Sequence, residues 1–200
     1  MTKSIMLVGV GGQGTILASK LLTIGLMEAG YDVKMSEIHG MSQRGGSVSS
    51  QVRYSEENVY SPVIEIGAAD MIVSFEKMEA LRYLRYLKPE GKIVVNNFRL
   101  NSVSTLVGKF EYKEEEIDAE LKRLNATVID AAKKAEELGN AKVMNVILLG
   151  SLVKSMNLEH IDWEDIIRKN VKEKFVELNI KAFKEGIKLV EKDELAVAIE

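Results

Sequence analysis

The stretch Ile5-Met-Leu-Val-Gly-Val-Gly-Gly-Gln-Gly-Thr-Ile-Leu17 decides the fold of this chain. Its first four residues form a short, continuous apolar run, which is typical of a parallel strand buried on both faces. Gly9, Gly11 and Gly14 then occupy the first, third and sixth positions of a G-x-G-x-x-G pattern. Residues 15–29 follow with apolar side chains near helical spacing. A strand, a glycine turn and a helix in this order predict the phosphate-binding turn of an α/β fold.

The residues of this first glycine loop are candidate ligand-binding residues: Gly9, Gly11, Gly12, Gln13 and Gly14. Glycine reaches positive φ at little cost, and the missing side chains let a ligand approach the backbone. The free N–H groups of the first helical turn, with the positive end of the helix dipole behind them, can then face an anion. The alternative is that the glycines only allow close packing of the helix on the strand.

Strands and helices continue to alternate after this unit. A second strand at 33–38 completes a βαβ unit over residues 5–38, and a third strand at 47–54 is predicted to have one partly wet face. Further strands are predicted at 71–75, at 92–96 after a turn at 88–91, and at 127–129 as a sheet edge. Helices are predicted at 76–87, 114–124, 130–138, 143–155 and 174–192. The last helix should direct Phe175, Leu178, Phe183 and Leu189 toward the core. This order predicts one domain over residues 1–200, a three-layer α/β/α domain with a mostly parallel sheet and a helical C-terminal part.

A second glycine-rich loop, His39–Ser47, follows the second strand at the sheet edge where ligands bind in open parallel sheets. Arg44 could hold a carboxylate or phosphate with two hydrogen bonds, and Ser42 and Gln43 could share that anion. His39 could donate a hydrogen bond or move a proton. Because three glycines make the loop costly to order, a ligand-binding or partner-binding role is favoured over a loop held by its own polar residues.

Glu37 is the one acidic residue placed to bind a ribose, as a nicotinamide site would require, and it could equally pair with Arg44. No residue is assigned as a catalytic acid or base.

Composition excludes several kinds of site. The chain has 200 residues, a formal net charge of −3, no cysteine and two histidines. Without cysteine it can hold neither a thiolate zinc site nor a cysteine-bound iron–sulfur cluster, and no metal site is expected. A mildly acidic surface gives no electrostatic reason to bind nucleic acid or an anionic membrane. The short apolar run at the N-terminus is neither a signal peptide core nor a membrane span, so a cytoplasmic location is expected.

The two loops together resemble the gamma domain of the 2-oxoacid:ferredoxin oxidoreductases. Two later segments agree with this resemblance. Glu137-Leu-Gly-Asn140, with Asn145 and Leu149-Gly150, resembles an apolar helix of the family, and the segment Asn179-Ile-Lys-Ala-Phe-Lys-Glu-Gly186 resembles its C-terminal signature. The resemblance therefore spans nearly the whole chain.

The resemblance implies an enzyme that decarboxylates a 2-oxoacid on thiamine diphosphate, passes electrons through iron–sulfur clusters to ferredoxin and forms an acyl-coenzyme A. Thiamine diphosphate and its magnesium usually need Gly-Asp-Gly followed by Asn-Asn, but here Asn96-Asn97 is preceded by Ala68-Ala-Asp70. We therefore expect these cofactors in a larger alpha subunit, with this chain inactive alone.

Indolepyruvate and other arylpyruvates are the expected substrates. The alternatives are a gamma subunit acting on pyruvate, 2-oxoglutarate or 2-oxoisovalerate, a free-standing dinucleotide-binding oxidoreductase, and a scaffold with an unused nucleotide fold.

Overall fold

The structure is a computed structural model that describes residues 1–39, 45–101 and 111–197. The strands are β1 (Lys3–Val10), β2 (Asp32–His39), β3 (Ser47–Ser55), β4 (Ala69–Ser74), β5 (Leu87–Asn96) and β6 (Thr127–Ile129). The helices are α1 (Thr15–Glu28), α2 (Lys77–Tyr83), α3 (Glu114–Arg123), α4 (Ala131–Glu137), α5 (Met144–Ser155), α6 (Trp163–Asn170) and α7 (Val176–Val197).

The strands form one six-stranded sheet in the order β2-β3-β1-β4-β5-β6. β1, β4, β5 and β6 pair in parallel, and β3 pairs antiparallel with both β1 and β2. The predicted βαβ unit is therefore split, because β2 runs in the same direction as β1 but β3 lies between them. The mostly parallel sheet and the edge position of β6 are as predicted.

The central strand β1 shows why the domain has three layers. Ile5 and Leu7 belong to a large core formed with α1, α5 and α7, whereas Met6 and Val8 belong to a second core on the other side of the sheet. All four side chains are buried, as the continuous apolar run predicted. Helices therefore cover both faces of the sheet, which confirms the α/β/α arrangement.

In the helical C-terminal part, α5 and α7 cross each other very closely. A Cβ atom added to Gly150 would lie 2.1 Å from the carbonyl oxygen of Phe183, and one added to Gly186 would lie 1.9 Å from that of Ile147. The Ser151 hydroxyl donates to the Gly186 carbonyl oxygen at 2.9 Å. Two glycines from two of the quoted family segments therefore meet at one helix crossing, where backbones touch directly.

The prediction of a partly wet face on the third strand is wrong. Ser49, Ser50 and Gln51 of β3 are buried. The chain after β3 crosses back over this strand, where the Ile64 N–H donates to Gln51 Oε1 at 2.6 Å and Arg53 Nη1 donates to the Ser61 carbonyl oxygen at 2.9 Å. The crossing segment therefore accounts for the burial of Gln51, whose side-chain oxygen it satisfies.

The predicted turn at 88–91 is also wrong, because these residues belong to β5. Leu87 pairs with Ala69 of β4, and an irregularity in the register before Lys92 takes up the additional residues. Such an irregularity accommodates Pro89, which has no N–H to donate. The helix predicted at 76–87 correspondingly ends at Tyr83 in a 3₁₀ turn, Leu84–Tyr86.

Of the four side chains predicted to point from the last helix into the core, Phe183 is buried and Leu178 and Leu189 pack against the core. Phe175 does not point into the core, because it ends the 3₁₀ turn Glu173–Phe175 before α7 and is 37% exposed.

Candidate functional site

The first glycine loop joins β1 to α1 and is held by the side chain of Gln13. Gln13 Oε1 accepts a hydrogen bond from the Val10 N–H at 2.8 Å, and Nε2 donates to the Phe75 carbonyl oxygen at 3.0 Å. Asn96 Nδ2 donates to the same oxygen at 3.2 Å. The predicted ligand residue Gln13 therefore uses its side chain within the protein, where it fixes the loop against the end of β4.

Three glycines of this loop have distinct reasons to be glycine. A Cβ atom on Gly9 would lie 2.9 Å from Phe75 Cβ, so this position needs close packing. Gly12 and Gly14 have φ values of 104° and 83°, which other residues adopt at a cost. Gly14 also leaves no room for a side chain, since its Cβ would lie 2.6 Å from Asn145 Nδ2. Close packing, the alternative to ligand contact posed by the sequence, therefore operates at Gly9 and Gly14, and positive φ requires glycine at Gly12 and Gly14.

The N-terminus of α1 has no capping partner among the described residues. Gly14 precedes the helix and provides no side-chain cap. Within the described part of the chain, no hydrogen bond uses the N–H groups of Gly12, Gly14, Thr15 or Ile16. The first N–H groups of a helix need an outside acceptor, and the helix dipole favours an anionic one.

The two glycine loops meet at the carboxyl edge of the sheet. The Gly11 N–H donates to the Gly46 carbonyl oxygen at 2.9 Å, so the end of the second loop lies beside the first. The backbone of His39 ends β2 at this edge. The side chain of His39 and the candidate residues Ser42, Gln43 and Arg44 lie outside the described residues.

Glu37 of β2 faces α1. The Ser19 hydroxyl donates to Glu37 Oε1 at 3.3 Å. Its carboxylate therefore packs on the helix side of the sheet.

A cavity of about 930 Å³ opens beside the first glycine loop. Its wall is shared by the start of α1, the chain leaving β5, the start of α5 and the connection between α6 and α7. Sequence reasoning placed only the glycine loop here. It did not assign the remaining polar and aromatic lining residues, which include Phe98, Lys142, Asn145, Lys172, Phe175 and Asn179. Asn145 and Asn179 do occur in the family-like segments, and that was the available signal.

A buried carboxylate, Glu76, lies just after β4. It is 1% exposed and accepts hydrogen bonds from the Tyr112 hydroxyl at 2.6 Å and the Glu79 N–H at 3.1 Å. Burial raises the pKa of Glu76, and these hydrogen bonds oppose that rise. Burial and the hydrogen bond to Glu76 also raise the pKa of Tyr112. Glu76 therefore caps the N-terminus of α2, and its hydrogen bond with Tyr112 joins that end of the helix to the residues before α3.

The neighbouring Lys77 is also buried, and its ammonium lies 2.9 Å from carboxylate oxygens of both Glu114 and Asp118. Burial alone lowers the pKa of Lys77, but the two acids outweigh it and the net pKa is raised. The cation therefore links α2 to α3.

Asp70 and Asn96, the residues compared above with a thiamine diphosphate motif, do not fit such a site. Asp70 begins β4, where Lys3 and Lys88 hold it, and Asn96 ends β5. In the register of β4 with β5, Asn96 lies five residues further along the strand direction than Asp70, which is about 16 Å at 3.3 Å per residue. Asn96 is fully buried, and its Oδ1 accepts from the Ala132 N–H at 3.1 Å. Among the described residues, no group of three or more His, Cys, Asp or Glu side chains could hold a metal ion.

Comparison with known proteins identifies the family. The family model described as pyruvate ferredoxin/flavodoxin oxidoreductase matches residues 4–189. The chain belongs to this family. Indolepyruvate oxidoreductase subunit IorB of Pyrococcus horikoshii is 39% identical over 196 residues, covering 92% of this chain and 94% of that protein. A 2-oxoglutarate synthase subunit KorC of Methanocaldococcus jannaschii is 30% identical over 190 residues, covering 93% of this chain and 92% of that protein.

A solved structure confirms the fold expected for this member of the pyruvate ferredoxin/flavodoxin oxidoreductase family. The gamma subunit of a keto/oxoacid ferredoxin oxidoreductase from Geobacter sulfurreducens superposes with a TM-score of 0.69 at 25% identity, covering 95% of this chain and 99% of that one. The resemblance inferred from the sequence is confirmed, and the chain is a subunit type of 2-oxoacid:ferredoxin oxidoreductases. Within the described ranges, no helix is long and apolar enough to cross a membrane.

Proposed function

We propose that this chain is the small, cofactor-free subunit of an arylpyruvate:ferredoxin oxidoreductase that acts on indolepyruvate. The observation that carries the proposal is the full-length similarity to an indolepyruvate oxidoreductase subunit, which exceeds the similarity to the 2-oxoglutarate synthase subunit. Pyruvate, 2-oxoglutarate and 2-oxoisovalerate are the alternative substrates.

In the proposed reaction, the bond between C1 and C2 of the 2-oxoacid breaks and carbon dioxide leaves. The thiol of coenzyme A loses its proton and forms a thioester with C2. The two electrons released reduce two ferredoxins by one electron each. The products are therefore an aryl-acetyl-CoA, carbon dioxide, a proton and two reduced ferredoxins.

Thiamine diphosphate, magnesium and iron–sulfur clusters belong, in this proposal, to a larger alpha subunit in a cytoplasmic complex. Two features support this division. The chain has no cysteine, and its Asp70 and Asn96 lie at opposite ends of neighbouring strands. Ferredoxin is then reached through the complex rather than through this chain.

This chain contributes the carboxyl edge of its sheet to the shared site. The first loop, Gly9–Gly14, presents the N–H groups of Gly12 and Gly14, which have no acceptor among the described residues, toward an anion on the substrate or coenzyme A side. His39, Ser42, Gln43 and Arg44 are proposed to contact the substrate or the alpha subunit. The hydrogen bond from Gly11 to Gly46, which joins the ends of the two loops, supports their acting together.

The test is to purify the chain alone and in co-expression with its larger subunit under anaerobic conditions. We expect the lone chain to be colourless and inactive, and the complex to reduce ferredoxin with indolepyruvate and coenzyme A. A lone chain that turns over indolepyruvate would contradict the proposal. So would a complex that prefers pyruvate or 2-oxoglutarate to arylpyruvates.

An Arg44→Ala variant of the complex tests the second loop. Loss of activity with intact assembly supports a substrate-side role, and loss of assembly supports an interface role. Unchanged activity in an intact complex would favour a scaffold function for this chain. A tight one-to-one complex of the lone chain with a nicotinamide dinucleotide would instead favour a free-standing oxidoreductase.

A further inference from the structure

The strand β2 forms a long, open edge of the sheet. It has eight residues, pairs with β3 over its whole length without a shift in register, and contains no proline. No other strand of the described chain pairs with it, whereas the opposite edge of the sheet, β6, has only three residues. Proteins usually keep edge strands short, bulged or interrupted by proline, because a long edge offers its outward N–H and C=O groups to another chain. The form of β2 is therefore that of a strand which accepts a further strand.

Apolar side chains of α1 lie beside this open edge. The Thr23 hydroxyl donates to Met35 Sδ at 3.4 Å, so this side of α1 faces β2. Ile16 lies seven residues before Thr23 and Met27 lies four residues after it, and this spacing places all three on one side of the helix. Ile16 is 49% exposed and Met27 is 58% exposed. The side of α1 along the edge therefore carries an apolar stripe that the described chain leaves exposed, as is typical of an interaction surface.

The strand itself adds apolar side chains on both faces of the sheet. Met35 and Ile38 are both exposed, and because side chains alternate along a strand, Met35 lies on the α1 face and Ile38 on the opposite face. Lys20 lies in the stripe between Ile16 and Met27, is exposed, and forms no ion pair with the described residues. A partner that fits this edge therefore has apolar side chains pointing to both faces and a carboxylate for Lys20.

A second copy of this chain is a poor partner for β2. In a symmetric pair the two strands run antiparallel about an axis perpendicular to the sheet, and each residue lies opposite one whose side chain is on the same face. The registers that use most of the strand then place Lys34 or Glu37 opposite its own copy, or place charged residues opposite apolar ones. Like charges directly opposite each other are destabilising. The pattern of charge on β2 therefore favours a different chain.

We propose that β2 pairs with an extended strand of the larger alpha subunit, and that the stripe of α1 from Ile16 to Met27 packs against side chains of that strand. The junction continues to His39, where β2 ends and the second glycine loop begins. It therefore connects the interface with the loop that is proposed to contact the substrate or the alpha subunit. The inference rests on the proposed function in one respect, since the alpha subunit is part of that proposal.

Amide hydrogen exchange, measured on the lone chain and on its purified complex with the co-expressed alpha subunit, tests the pairing. About half of the β2 amides face outward in the lone chain and should exchange quickly. In the complex their exchange should slow about tenfold or more, because the added strand accepts hydrogen bonds from them. An assembled complex with unprotected outward amides overturns the proposal. Protection in the lone chain that increases with its concentration would show pairing between copies and would overturn the proposal as well.

Substitutions in the stripe locate the interface. Ile16→Glu and Met27→Glu should each weaken assembly with the alpha subunit about tenfold or more, because a carboxylate then enters the apolar contact. Sedimentation equilibrium of the purified subunits measures this affinity, and urea unfolding of each lone variant checks its fold. The matched control is Val128→Glu, which adds the same charge at an exposed apolar position of the opposite sheet edge and should leave the affinity unchanged. Equal affinities for the Met27 and Val128 variants would contradict the proposal.

Lys20→Glu tests the charge of the partner strand. Assembly should weaken about tenfold, and by more at low than at high salt, because an attraction to a carboxylate becomes a repulsion. Lys122→Glu, at an exposed lysine of α3 with no ion pair among the described residues, is the control and should have no effect. The carboxylate assigned to the partner is ruled out if the two variants assemble equally well at low salt.

These measurements report on the interface and not on the reaction. A complex that forms through β2 but prefers pyruvate or 2-oxoglutarate contradicts the proposed function alone. A complex that turns over indolepyruvate without protecting β2 contradicts this inference alone.

Discussion

Gln13 Nε2 lies 3.0 Å from the carbonyl oxygen of Phe75, while the other end of the same amide accepts the Val10 N–H. One side chain therefore ties the turn after β1 to the end of β4. It holds the loop that precedes α1 in this conformation. Gln13 therefore positions the loop, and the ligand contacts that we propose for the loop are made by its backbone.

Gln13→Glu should destabilise the protein by about 1–3 kcal/mol, because a carboxylate oxygen would face the Phe75 carbonyl oxygen without a proton between them. Urea unfolding of the purified chain measures the change. Asn101→Asp makes the same change from amide to carboxylate at an exposed position, where the side-chain oxygen only accepts from Arg99 Nε, and should have little effect. Equal stabilities for the two variants would show that the hydrogen bond to Phe75 contributes nothing.

Gly14→Ala should cost about 2–5 kcal/mol. Its φ of 83° is unfavourable for alanine, and the added Cβ would meet Asn145 Nδ2 at 2.6 Å. Gly139→Ala separates these two causes, because Gly139 has a φ of 85° but no atom within 4 Å of the added Cβ. We expect only about 1–2 kcal/mol at that control position. A Gly14 variant no less stable than the Gly139 variant would mean that the contact with Asn145 relaxes freely.

Gly186→Ala should lower the free energy of unfolding by more than about 3 kcal/mol, because the new Cβ would lie 1.9 Å from the Ile147 carbonyl oxygen and force α5 and α7 apart. Helix propensity alone acts in the opposite direction and would stabilise the variant by about 1 kcal/mol. The sign of the change in chemical denaturation therefore distinguishes the two effects. A stabilised variant would rule out the close crossing.

Tyr112→Phe should destabilise the protein by about 1.5–3 kcal/mol at pH 7, because it removes a hydrogen bond to the buried Glu76 carboxylate. The loss should be smaller at low pH. Burial raises the folded-state pKa of Glu76, so the folded state binds more protons than the unfolded state between the two pKa values. The contribution of Glu76 to stability therefore falls as pH rises through this interval.

Removing the Tyr112 hydroxyl raises the folded pKa of Glu76 further, which extends the fall and increases the difference from the parent protein. Unfolding measured from pH 4 to pH 7 gives this difference. Tyr60→Phe is the control, because Tyr60 is 91% exposed and loss of its hydroxyl removes no buried contact. A Tyr112 effect that stays constant with pH would show that Glu76 does not titrate in this range.

The sequence by itself determined the β1–loop–α1 unit and the buried helix α5. In these segments the signal is local. A continuous apolar run has few alternatives to a buried strand, glycines mark the positions of positive φ at Gly12 and Gly14, and an apolar helix such as α5 must lie in the core. The family followed from the same kind of evidence, because its motifs are short, contiguous and carried on these elements.

Only the tertiary structure decided the position of β3 between β1 and β2, the extension of β5 through Pro89 and the intramolecular role of Gln13. It also decided which segments besides the first glycine loop form the cavity wall. Each depends on a partner distant in the chain: β3 on its crossing segment and on β1, Pro89 on the register with β4, Gln13 on Phe75, and Gly14 on Asn145. Periodicity reports that a side chain is buried, but it carries no information about which segment buries it. The free energy that selects between alternative pairings comes from those distant contacts, and so the site, which several segments share, was defined only when they were brought together.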